Sequence, residues 1–266
     1  MRCNMENKHE CGIFNWFGYI LPFEERIKLI KQAGYDYAML WWEDESYPYI
    51  ISRMELIKIL KHYGLKLDNV HLPFENINNL WSESSTLRNN EINVVKRWLN
   101  ECRECGADTV VIHNTEGSNH KFNYKFGFDS FKDVILEAEN IGINVAFENT
   151  QMAEYTNLLL REITSPKAGF CYDSSHDFVN GGSKGEILNR WKDRLLAVHL
   201  SDNDGGTNDR HWIPGKGNVN WDKIIDIIKR ANCKSYSMET YPFGDEKDMA
   251  PLDFLIKAKQ SLLGLL

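Results

Sequence analysis

The chain has 266 residues, with 31 Lys plus Arg against 38 Asp plus Glu and a formal net charge of −7. Hydrophobic residues at 42% and charged residues at 26% exclude a disordered chain, which is short of apolar residues and carries a charge imbalance. The acidic balance argues against a nucleic-acid partner, whose binding domains show a basic footprint, without excluding one.

Residues 1–10 read as a polar N-terminal tail and residues 11–266 as one domain. Within it, short apolar runs rich in Val, Ile, Phe and Tyr alternate with longer runs of helical spacing. The first strand is read at Cys11–Phe17 and the first helix at Phe23–Ala33, between Pro22 and Gly34, residues that suit a helix start and stop. Strand two is Tyr35–Trp42, with a helix at Arg53–Tyr63. Strand three is Leu67–Leu72, with a helix from about Thr86 to Cys105. Strand four is Thr109–His113, with a helix at Asp129–Ile141 stopped by Gly142. Strand five is Asn144–Glu148, with a helix at Glu154–Ile163. Strand six is Ala168–Tyr172, with a helix at Gly185–Lys192. Strand seven is Leu195–Leu200, with a helix at Trp221–Arg230. Strand eight is Ser235–Glu239, with a closing helix at Leu252–Leu263. Such alternation demands parallel pairing through crossovers. It fits a single-domain (β/α)8 TIM barrel, an α/β fold that commonly fills about 250 residues. No Gly-rich dinucleotide fingerprint follows the first strand, where an open nucleotide-binding sheet carries it.

No run approaches the roughly 20 consecutive apolar residues of a membrane span. The N-terminus, MRCNMENKHE, is polar and lacks the apolar core of a secretory signal. Six cysteines are too sparse for a disulfide scaffold, so a cytoplasmic location without a membrane partner is expected. Cys102 and Cys105 form a lone CxxC in a helical pattern. Zinc wants a second pair, so they read as ordinary helix cysteines. Oligomeric state is left open, a homo-oligomer included.

In a barrel, the C-terminal strand ends form one rim where catalytic groups gather. Strand three ends in VHLPF with His71, strand four in VVIHNT with His113, and strand five in VAFENT with Glu148. Strand six ends in CYDSSH with Asp173 and His176, and strand seven in VHLSDN with His199. The following loop carries Asp209 and His211, and strand eight ends in SMET with Glu239. Any one of these residues has an ordinary structural explanation. Together, Glu148, Asp173 and Glu239 in one low-dielectric mouth would repel one another. A divalent cation relieves that repulsion, and His with carboxylate ligands suits manganese, zinc, cobalt, magnesium or iron.

The runs FENT, CYDSSHDF and HLSDNDGGTNDRHWIPGKGNVNW resemble the xylose isomerase-like TIM-barrel superfamily over nearly the whole chain. That superfamily holds sugar and sugar-phosphate isomerases and epimerases together with endonuclease IV. In the isomerase branch, the resemblance implies one metal on Glu148, Asp173, His199 and Glu239, with Glu148 and Glu239 also moving the proton. It further implies substrate contacts from Glu154 and His176. In the endonuclease branch it implies up to three zincs: one on His71, His113 and Glu148, one on Glu148, Asp173, His199 and Glu239, and one on His176, Asp209 and His211. The epimerases' Arg six residues past the strand-seven His is absent, and Gly205 stands there.

Phe14, Trp16, Trp41 and Trp42, near the ends of strands one and two, are candidate faces for a sugar ring. Lys184 in GGSKG and Lys216 in PGKG are candidate phosphate contacts. The expected activity is a metal-dependent sugar or sugar-phosphate isomerase or epimerase, working through an enediolate. The alternative is an endonuclease IV-like phosphodiesterase at apurinic sites. Against it stand the short acidic loop EDESYPY after strand two and the QMAEY continuation of strand five. A barrel that has lost catalysis ranks last, because Glu148 and Glu239 are both present.

Overall fold

The computed structural model describes residues 9–118, 120–231, 233 and 235–266. Of the expected tail, residues 1–8 lie outside the described residues. Glu10 is tied to the barrel: its carboxylate accepts from Tyr37 Oη at 2.9 Å and its carbonyl from Tyr236 N at 3.0 Å.

Eight parallel strands follow the order of the chain: β1 Cys11–Phe14, β2 Tyr37–Trp41, β3 Lys66–His71, β4 Thr109–His113, β5 Asn144–Glu148, β6 Ala168–Asp173, β7 Leu195–His199 and β8 Tyr236–Met238. From β1 to β7 each strand pairs with the next, and β1 also pairs with β8. Between β7 and β8 the ring is drawn together by the Leu200–Met238 bridge. The outer layer is α1 Phe23–Gln32, α2 Arg53–His62, α3 Ser85–Glu104, α4 Tyr124–Ile141, α5 Ala153–Glu162, α6 Ser174–Phe178, α7 Glu186–Trp191, α8 Trp221–Arg230 and α9 Pro251–Leu263. This is a TIM barrel in one domain. Among the described residues no helix is long and apolar enough to cross a membrane.

Most helices begin and end where the local chemistry asks. Ser52, Ser84, Asn123 and Asn220 accept backbone N–H groups at helix starts, satisfying donors that the helix leaves orphaned. Two departures bear on the site. Helix α4 begins at Tyr124, not Asp129, and runs through Gly127. That glycine is there for packing: a Cβ on it would stand 1.8 Å from the Trp81 ring. The short helix α6 was not expected. It starts because the Asp173 carboxylate accepts His176 N at 2.7 Å, so a rim carboxylate is also its N-cap.

Period-two alternation along the strands builds the mouth. Val111, Ala146, Cys171 and Ala197 form a small apolar cluster of their own. Two residues further along the same strands come His113, Glu148, Asp173 and His199. Register aligns them, with His113 beside Glu148 and Asp173 beside His199.

Candidate functional site

Glu148 is the hub. It is fully buried. Its Oε2 lies 3.1 Å from His71 Nε2 and 3.6 Å from His113 Nε2. Its Oε1 lies 3.3 Å from His176 Nδ1 and 3.4 Å from His199 Nδ1. His199 Nδ1 is in turn 3.1 Å from Glu239 Oε2. Asp209 Oδ2 joins His176 Nε2 at 2.9 Å and His211 Nε2 at 2.8 Å. All nine rim residues singled out in the sequence therefore meet in one mouth.

The electrostatics follow from burial and proximity. Burial opposes charge on Glu148, yet His199, His113 and His176 hold its carboxyl well below the ordinary range. Burial likewise opposes charge on His176, but Asp173 and Asp209 raise it well above the usual imidazole value. His211 is pushed up to about 10 against its own burial, chiefly by Asp209. Asp173 rises to about 6, because burial outweighs the nearby histidines. Glu239 falls to about 2: burial is overcome by the His199 contact and the His211 charge. Burial keeps His113 below its ordinary value.

The donor set fits a cation. Glu148 Oε1, Asp173 Oδ2 and both His199 ring nitrogens are buried without a hydrogen-bond partner, where buried polar atoms are ordinarily paired. One ligand atom each from Glu148, Asp173, His199 and Glu239 lies within 4.8 Å of the others. So do those of His71, Glu148 and His199, of His113, Glu148 and His176, and of Asp173, His176 and His211. Carboxylate and imidazole ligands at this density suit a divalent first-row metal.

Above the cluster opens a cavity of about 620 Å³. Phe14, Trp41 and Phe74 form aromatic wall beside the histidines. Trp41 lies 5.2 Å from the His71 ring, and Phe74 stacks on His113 at 4.1 Å. Glu239 and Tyr241 line the wall, and Tyr241 Oη donates to Glu239 Oε1 at 3.2 Å.

Residues 27–257 match the family described as xylose isomerase-like TIM barrel. The chain belongs to that family. A protein of Sinorhizobium fredii, described as uncharacterized protein y4fM, is 26% identical over 261 residues, 84% of this chain and 83% of its own. Among solved structures, a D-tagatose 3-epimerase-like protein is similar with a TM-score of 0.76 at 18% identity, covering 96% of both chains. A D-psicose 3-epimerase from Clostridium cellulolyticum, solved with D-tagatose, has a TM-score of 0.74 at 16% identity, covering 96% of this chain and 97% of its own. At such identities the likeness shows the fold.

Phe14, Trp16 and His176 line the cavity. Four side chains expected at the substrate or its phosphate lie elsewhere. Trp42 is fully buried and donates from Nε1 to Glu101 Oε2 at 3.1 Å. Strand alternation decides this, since Trp41 turns to the mouth and its neighbour must turn to the helices. Lys216 pairs with Glu246 at 2.7 Å, outside the cavity. Glu154 is exposed in the first turn of α5 and does not line the cavity. Lys184 is exposed in its loop.

The PGKGNVNW run has a positioning role. It wraps the buried Asp202 carboxylate, which accepts from Gly215 N at 2.7 Å, Val219 N at 3.1 Å and Trp221 Nε1 at 2.8 Å. A Cβ on Gly217 would meet Asp202 Oδ1 at 2.4 Å, so only glycine allows that approach. The same Asp202 pairs with Trp212, immediately after His211. Asn15, Arg26, Phe74 and Tyr241 line the cavity without having been singled out. Tyr241 was within reach of a strand-end reading, two residues past Glu239. Arg26 lies inside a helix, where nothing in the sequence marks it.

Proposed function

We propose that the protein is a divalent-metal-dependent isomerase or epimerase of a small sugar-like carbonyl substrate, moving a proton beside the carbonyl through an enediolate. The observation that carries this is the convergence of Glu148, Asp173, His199 and Glu239 from four strand ends within 4.8 Å of one another. These four would hold the metal. When bound, it polarises a carbonyl and its adjacent hydroxyl and so lowers the cost of losing the carbon-bound proton.

The chain's own groups supply the rest. Of the four residues that would hold the metal, Glu239 is the one that lines the cavity, so it is the group placed to take and return the proton. The Tyr241 hydroxyl orients it. Glu148 is the second proposed proton-transfer carboxylate, set behind His71 and His113. Phe14, Trp41 and Phe74 exclude water and offer faces to the substrate's C–H surface.

The join of His176, Asp209 and His211 favours one competing reading, a three-zinc phosphodiesterase. Against it, Glu43, Asp44 and Glu45 line the same cavity and would repel a nucleic-acid backbone. Metal analysis of protein purified without chelator separates the two. About one ion per chain supports the isomerase, and about three supports the nuclease. Assays against a ketose panel and an abasic duplex complete the test. Duplex cleavage without ketose turnover refutes the proposal.

A further inference from the structure

We propose that the β1–β2 side of the cavity is a second recognition subsite, in which Arg26, Glu45 and Trp16 grip the hydroxyl-bearing end of an unphosphorylated sugar. This rests on the sugar reading above and names the substrate class within it.

Arg26 is 1% exposed and lines the cavity wall. A guanidinium carries five N–H donors. Here Nη1 donates to Asn15 O at a long 3.3 Å. Nη2 is ion-paired with Glu45 Oε2 at 2.5 Å, and Nε makes no hydrogen bond. Its guanidinium centre lies 5.0 Å from the Trp16 ring centroid and 5.6 Å from that of Phe23. Burying a cation with unused donors is costly. A ligand that accepts those N–H groups accounts for it.

The surroundings choose the ligand. A sugar hydroxyl both donates and accepts, so adjacent hydroxyls match a neighbouring guanidinium and carboxylate. Trp16, at 39% exposed, offers the aromatic face that a sugar's C–H surface covers. A phosphate is disfavoured. Glu45 already neutralises Arg26, and Glu43 and Asp44 line the same wall. Among the described residues, no lysine and no second arginine lines the cavity, and Lys216 is committed to Glu246. A carboxylate ligand would have to displace Glu45 and face the same acidic neighbours. The subsite continues to the metal-binding cluster through Phe14, next to Asn15 in the chain and 6.5 Å from the His71 ring.

The test uses the full chain with Mn²⁺ present and calorimetric titration with D-fructose, D-psicose, D-tagatose and D-fructose 6-phosphate. At least one free ketose is expected to bind at least about tenfold more tightly than the phosphate. Arg26→Met and Glu45→Gln should each weaken that binding about tenfold or more, the loss of a hydrogen bond to a charged group. Metal content should be unchanged in both. Glu45→Gln, at a part-exposed position, keeps the test decisive if Arg26→Met does not fold. Tighter binding of the phosphate, or unchanged ketose binding by a folded variant, overturns the subsite while wild-type ketose binding stands. Absence of ketose and phosphate binding by the wild type overturns the sugar reading as well.

Discussion

Glu148→Gln tests the hub in the protein stripped of metal. The substitution keeps shape and removes one charge from a site with no solvent exposure. Imidazole nitrogens of His71, His176, His199 and His113 lie 3.1, 3.3, 3.4 and 3.6 Å from its oxygens. Two of them, His176 and His199, hold protons well above the usual imidazole range, opposed by burial and favoured by neighbouring anions that include Glu148. Removing one partner of a buried pair costs about 3–5 kcal/mol, a large part of the roughly 5–15 kcal/mol that holds a domain together. At about 2–4 °C per kcal/mol for a large domain, that is a loss of roughly 6–20 °C in Tm. Chelator-treated wild type and variant are compared by thermal and guanidinium unfolding at pH 6, where His176 and His199 are charged. The gap should narrow as pH rises through their raised values. Added Mn²⁺ or Zn²⁺ should raise the midpoint of the wild type far more than that of the variant. A difference below about 0.5 kcal/mol at pH 6, the range of an ordinary surface change, with metal stabilisation intact, would refute the hub.

Glu239→Gln should lower kcat by at least about 100-fold, the contribution of a lost general base; full activity on a responsive ketose removes its role. The metal-free wild type should be most stable near pH 6 and lose stability as pH rises towards 10. His176, His199 and His211, the last at about 10, bind protons more tightly folded than unfolded, and that stabilisation fades as pH passes their folded values. Glu148, with a lowered pKa, keeps its contribution across this window, and His113, lowered by burial, weakens the trend only at the acid end. Denaturation midpoints across pH 6–10 check this, and a midpoint rising with pH contradicts it. Gly127→Ala should destabilise by about 1–3 kcal/mol or more through overpacking against Trp81, 1.8 Å from the added Cβ; an unchanged denaturation midpoint would show that the ring yields freely.

Much of this was legible in the chain because a barrel strand is short, apolar and followed by a helix. Strands β4 and β5 occur at the residues read from sequence, where apolar runs end sharply in His113 and Glu148. The boundaries that moved did so for tertiary reasons. Helix α4 starts at Tyr124 rather than Asp129, and Gly127 within it packs against Trp81. Helix α6 is too short to show a period, and its start depends on the Asp173 carboxylate turning back on its own backbone.

The side-chain roles divide in the same way. A rim position is a property of strand ends, so most of the nine titratable residues were legible there, with Asp209 and His211 in the loop that follows β7. Their partition was not, because one carboxylate, Glu148, touches four histidines brought in by four other segments. Trp41 and Trp42 are equivalent in sequence, and the pleat of β2 sends one to the cavity and the other to Glu101. Lys216 sits in a promising glycine-rich loop, but Glu246, thirty residues on, claims its charge. Arg26 lies on a helix among ordinary core positions, and only the folding of the β2–α2 loop brings Glu45 to it. Sequence alone determined the alternation, the barrel and which strands end in titratable residues, since these follow from local periodicity. The tertiary structure alone decided which groups share a proton, which charge is already neutralised and which side chain faces the cavity, since those depend on distances between segments far apart in the chain.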